Sequence, residues 1–107
     1  MKMPKVEILY FDDCPSWVDA QSLLEQVLRE AGRSPQIELI RVETQEEAEQ
    51  NKFVGSPTIR INGEDLFPTG QTQFALGCRV YQTPNGFKGV PTEDMLKEQL
   101  ERILALN

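Results

Sequence analysis

The order of the first three periodic segments constrains this chain more than any other feature. Residues 5–11, "KVEILYF", are almost continuously apolar and rich in β-branched and aromatic side chains, the pattern of a central strand covered on both faces. After "DDCP", Trp17, Ala20, Leu23, Leu24, Val27, Leu28 and Ala31 recur at helical spacing until Gly32, which predicts a helix with a glycine stop. Pro35 breaks the chain, and "IELIRVE" at 37–43 sets Ile37, Leu39 and Arg41 against Glu38, Ile40 and Val42, a second strand by alternation and β-branching. Strand, helix and strand within about 39 residues make a βαβ unit, whose strands are expected to be parallel and whose crossover is expected to be right-handed. The chain therefore reads as an α/β protein.

The rest of the pattern extends that unit. Thr44 followed by Glu47 is a capping box, predicting a short helix over 45–53. "TIRI" and "EDLF" flank Asn62-Gly63, the strongest short hairpin signal, because both turn residues tolerate positive φ. A last helix is expected from Glu93 to Leu106, capped by Thr92, with Leu96, Leu100, Ile103 and Leu104 on one stripe. Between hairpin and helix lies the stretch 67–90, dense in Gly, Pro and Thr. Segments of that length inside a compact domain are functional or carry structure of their own. "RVYQT-PNG-FKGV" suits a second small hairpin, and "PTGQTQFALG" reads as irregular.

The chain has 107 residues, 39% hydrophobic and 26% charged, enough to fold as one domain spanning 1–107 without staples. No 18-residue apolar run is present, and "MKMPK" leads into a stretch broken by Glu7, without the apolar core and cleavage site of a signal peptide. No membrane partner is expected, and the expected compartment is the cytoplasm. A net charge of −6 with no cluster of Lys and Arg repels phosphate backbones, so nucleic acid is not an expected partner. There is no histidine, which removes Ser-His-Asp and Cys-His pairs and every His-based zinc site. The two cysteines, Cys14 and Cys78, are too few for a disulfide framework and wrongly spaced for a zinc ribbon.

Cys14 falls where the first strand gives way to the first helix, directly before Pro15, a residue suited to a first helical turn because its missing N–H costs nothing there. Free helix amides and the helix dipole favour a thiolate at such a place. Asp12 and Asp13 bring opposing negative charge and are also candidate helix caps. The competing reading of Cys14 is a buried, inert cysteine.

The order βαβ, short helix, ββ hairpin, helix, with "CPSW" at the first strand-to-helix turn and "SPT" before the hairpin, resembles the thioredoxin-like superfamily. "FDDCP", "GSPT" and "CRVY" are similar, more narrowly, to a group of small prokaryotic proteins of that fold, some of which carry selenocysteine at the first thiol. The resemblance implies a central four-stranded mixed sheet with helices on both faces, here with an insertion at about 67–90. It also implies a cis Ser56-Pro57 bond beside Cys14, where the family docks its substrate chain; a trans, helix-stopping Pro57 is the alternative. Trp17 stands where the family has its second cysteine, so the usual resolving thiol is missing, and Trp17 is expected as core or as a lid over the thiol. Ser16 reads as a first-turn residue. The second hairpin strand should end on the edge where the first strand ends, which brings Cys78 within reach of Cys14. Cys78 is then either a resolving thiol or a small apolar residue holding the insertion down. Arg79 either holds the Cys78 thiolate or is exposed on a strand.

The function this implies is a thiol oxidoreductase, without cofactor or metal site, in which Cys14 attacks a protein or small-molecule disulfide or another electrophile such as a peroxide, and Cys78 resolves the intermediate. Residues around the substrate would be Pro15, Trp17, Ser56 and Pro57. Two converging thiolates also suit Hg(II), Cu(I) or As(III), and a non-catalytic peptide-binding module is the third reading. Phe67, Phe74, Tyr81 and Phe87 form either a satellite core over this edge or the contact of a homodimer.

Overall fold

The computed structural model of the chain describes residues 4–34 and 36–104. The elements run β1 (Val6–Tyr10), α1 (Ser16–Glu30), β2 (Glu38–Arg41), α2 (Gln45–Gln50), β3 (Thr58–Ile61), β4 (Glu64–Asp65), β5 (Tyr81–Thr83), β6 (Gly86–Lys88) and α3 (Glu93–Leu104). Four strands form one mixed sheet in the order β2-β1-β3-β4. β1 pairs parallel with β2, Ile8 opposite Leu39, and antiparallel with β3, Ile8 opposite Ile59. The break expected at Pro35 and a helix end at Leu106 lie outside the described residues.

Helices cover both faces of this sheet. Alternation along β1 sends Val6 and Ile8 to one face, where Leu24, Val27 and Leu28 of α1 meet Leu96 and Leu100 of α3. Leu9 points to the other, with Val42, Ala48 of α2 and Phe53. Because β2 is the edge strand, its alternation is only partly used: Ile37 packs on the first cluster, Ile40 and Val42 on the second, and Leu39 stays exposed.

Local signals set the element ends. α1 stops in a Schellman motif at Gly32 (φ +74°), whose N–H donates to the Arg29 carbonyl while Arg33 N–H donates to Leu28. α2 opens on the expected capping box but ends at Gln50, short of the expected Phe53. Lys52 adopts φ +52° there, and the amides of Lys52 and Phe53 turn back to the carbonyls of Glu49 and Ala48, which drops Phe53 into the core. The β3–β4 hairpin turns at Asn62 and Gly63, both at positive φ. β4 is only two residues long, against the four expected, because the Asp65 carboxylate takes the Phe67 amide at 2.8 Å and bends the chain off the ladder.

The stretch 67–90 divides as expected into an irregular part and a β5–β6 hairpin, with Gln82 opposite Phe87. It lies against the start of α1 and against the segment that leads into β3. Two glycines allow that approach. A Cβ on Gly55 (φ +123°) would lie 2.8 Å from Arg79 Cβ, and one on Gly89 would lie 2.5 Å from Ser16 Oγ.

A candidate redox site at the start of the first helix

Phe11 ends the apolar run, and the Cys14 amide turns back to its carbonyl at 2.9 Å, so the thiol-bearing residue sits directly ahead of α1. Pro15 occupies the N-cap of that helix and no side chain caps it. Neither Asp12 nor Asp13 takes the role: Asp12 instead pairs with Arg41 on β2 at 2.9 Å. The start of a 15-residue helix without a side-chain cap therefore stands next to Cys14; a helix start favours negative charge on sulfur, with the neighbouring Asp13 acting against it. Trp17, on the first turn, is half-buried and stacks on Tyr10 with ring centroids 4.3 Å apart.

The second sulfur arrives from the insertion. Ser56-Pro57 is cis, and the residues ahead of it form a short parallel bridge with the insertion: Ser56 N–H donates to Gly77 at 2.8 Å, and Arg79 N–H donates to the Ser56 carbonyl at 2.9 Å. Cys78 lies between those two bonds. Its Sγ is bonded to Cys14 Sγ at 2.05 Å, with Cα atoms 5.6 Å apart, across 64 positions of sequence. The two cysteines and Ser56-Pro57 thus meet at one edge. Both backbone groups of Ser56 are occupied by the chain's own residues 77 and 79.

The two cysteines differ in exposure. Cys14 is 2% exposed, whereas Cys78 is exposed. Along the strand that follows, the alternation is sharp: Cys78, Val80 and Gln82 face outward, and Arg79, Tyr81 and Thr83 are buried.

Arg79 corrects one of the readings given to it: it is not exposed on a strand but 5% exposed, with its guanidinium committed to groups other than Cys78. Its guanidinium pairs with Asp65 at 2.8 Å, donates to the Phe67 carbonyl and to Thr58 Oγ1 at 3.4 Å, and lies 4.5 Å from the centre of the Tyr81 ring. Tyr81 packs edge-on against Phe67 and donates its hydroxyl to the Pro57 carbonyl. Burial pushes its phenol well above the ordinary range, with the Arg79 charge acting against that. Tyr81 and Phe67 are thus part of a satellite core, whereas Phe87 is exposed. Ser56 is buried, and its hydroxyl has no partner among the described residues. No three of Cys, Asp and Glu gather into a cation site among the described residues, and no helix there is long and apolar enough to cross a membrane.

Sequence reasoning missed the supports of this site: Asp65, Gly55, Gly89 and the hydrogen bond from Tyr81 to the Pro57 carbonyl. The signal for Arg79 and Tyr81 was their spacing of two on a strand whose other face carries Cys78. Comparison with family models, with curated proteins and with solved structures finds no match.

Proposed function

We propose that the protein is a thiol–disulfide redox protein of thioredoxin-like fold whose working couple is Cys14 and Cys78. The observation that carries this reading is the placement of the disulfide: one sulfur at an uncapped helix start, the other on a segment bridged to Ser56 ahead of β3. A cross-link that served only to staple the insertion would gain nothing from the start of a helix. A redox couple gains there, because the helix end stabilises the thiolate released when the disulfide opens. The β-α-β-α-β-β-α order, with the β5–β6 hairpin inserted before the last helix, and the helices on both faces of a four-stranded mixed sheet support the fold assignment.

The chemistry needs no cofactor. A thiolate of the partner attacks one sulfur of the couple, the S–S bond breaks, and the other cysteine leaves as thiolate. A second thiol of the partner then displaces the mixed disulfide, so that the partner dithiol is oxidised by two electrons and Cys14 and Cys78 are reduced. The reverse sequence reduces a substrate disulfide.

The test is turnover. With dithiothreitol as reductant and a disulfide-linked protein as substrate, the wild type is expected to accelerate reduction over dithiothreitol alone. Cys14→Ser and Cys78→Ser are each expected to lose most of that acceleration. Acceleration that survives in the doubly substituted chain, or none in the wild type, contradicts the proposal.

A further inference from the structure

We propose that Cys78, the cysteine from the insertion, is the sulfur that exchanges with the partner, and that Cys14 is the buried thiol that resolves the mixed disulfide. This rests on the redox reading above and assigns roles within it. It departs from the expectation, drawn from position alone, that the cysteine at the helix start attacks and the distant one resolves.

Three observations carry it. Thiol exchange requires the attacking sulfur to reach the disulfide along the S–S axis, and access decides which sulfur is struck. Cys14 is 2% exposed and Cys78 is exposed. The Ser56 backbone offers no free pairing groups to a partner chain either, because Gly77 and Arg79 hold both of them. The leaving-group side agrees with the access side: attack at Cys78 Sγ expels Cys14, which departs as a thiolate beside the uncapped end of α1.

The step balances. A partner thiolate forms an S–S bond to Cys78 Sγ as the Cys14–Cys78 bond breaks, and the electron pair leaves on Cys14 Sγ. In the reducing direction the Cys78 thiolate attacks a substrate disulfide, expelling one substrate thiolate. Cys14 thiolate then attacks Cys78 Sγ, re-forming the internal disulfide and expelling the second. The partner is thus a dithiol or disulfide able to approach the outer side of residues 78–80.

The test compares the thiols singly. In the folded state, the Cys78 thiol of Cys14→Ala is expected to react with an aromatic disulfide reagent at least about 100-fold faster than the Cys14 thiol of Cys78→Ser, since a buried thiol must wait for local opening. In denaturant the two rates should converge. Should either variant fail to fold, the same assignment is read on the wild type by acid-quenching it during reduction with glutathione and mapping the adduct by peptide mass, with glutathione expected on Cys78. Equal or faster labelling of Cys14, or glutathione found on Cys14, overturns the assignment and leaves the couple standing. A wild-type disulfide inert to thiols in the folded state overturns the couple and the assignment with it.

Discussion

Arg79 joins three parts of the molecule through one side chain. It ties the insertion to β4 through Asp65, to the bend after β4 through the Phe67 carbonyl, and to the cis-proline strand through Thr58 and Tyr81. Arg79→Ala leaves the Asp65 carboxylate without its partner and opens a cavity, so it should cost about 3 kcal/mol of unfolding free energy in urea titration. Arg79→Lys should recover little of this, because an ammonium has no planar fork to span these acceptors and the ring face. Tyr81 supplies the pH dependence. Its burial favours the neutral phenol in the folded state, so its contribution to stability is complete below the ordinary phenol pKa of about 10 and declines as pH rises above it. The urea midpoint should therefore fall between about pH 10 and 11 more steeply in wild type than in Tyr81→Phe; parallel curves would contradict that role. Of this inward network only the packing of Tyr81 and Phe67 was legible from sequence, where Arg79 offers only a charge next to a cysteine. A two-residue alternation becomes informative once the partner face is known to be buried.

At the scale of elements, the main sheet and its helices were readable because each rests on local chemistry: continuous apolar character for β1, the Thr44–Glu47 box for α2 and Asn62-Gly63 for the hairpin. The ends of α2 and β4 were not. They are set by Lys52 entering the left-handed region and by one carboxylate, Asp65, capturing an amide, events that propensity does not encode. The docking of the β5–β6 hairpin was equally hidden, because it depends on what two glycines leave out. Gly89→Ala places a methyl 2.5 Å from Ser16 Oγ. The hydroxyl can rotate only part of the way out of contact, because Ser16 Cβ is itself 3.1 Å away, so the cost should be about 1 kcal/mol, the low end for overpacking. Removing that oxygen in Ser16→Ala should restore part of the loss, so a double-mutant cycle should return a coupling that is a fraction of that cost. Additive losses would mean that the hairpin does not press on the start of α1.

At the scale of the whole molecule, the disulfide joins residues 64 positions apart. Closing so long a loop stabilises the oxidised form by about 4 kcal/mol on the chain-entropy model. The core on both faces of the sheet does not depend on it, so the reduced protein should still unfold cooperatively, with Tm lower by roughly 20 °C in calorimetry. The meeting of Cys14 with Ser56-Pro57 and the arrival of Cys78 were legible from topology, since antiparallel neighbours bring the right strand ends together. Which of the two cysteines is the exposed one was not, because residue burial depends on tertiary packing that the local sequence around either cysteine does not encode. That a reversible couple sits at this edge is tested most directly by its reduction potential, measured by equilibrating the folded wild type in glutathione buffers and counting free thiols by mass after acid quench. A midpoint between about −120 and −270 mV, the range of thiol–disulfide catalysts, is the predicted result. A disulfide that remains closed below about −300 mV, opening only when the chain unfolds, would make it a structural bond and contradict the account.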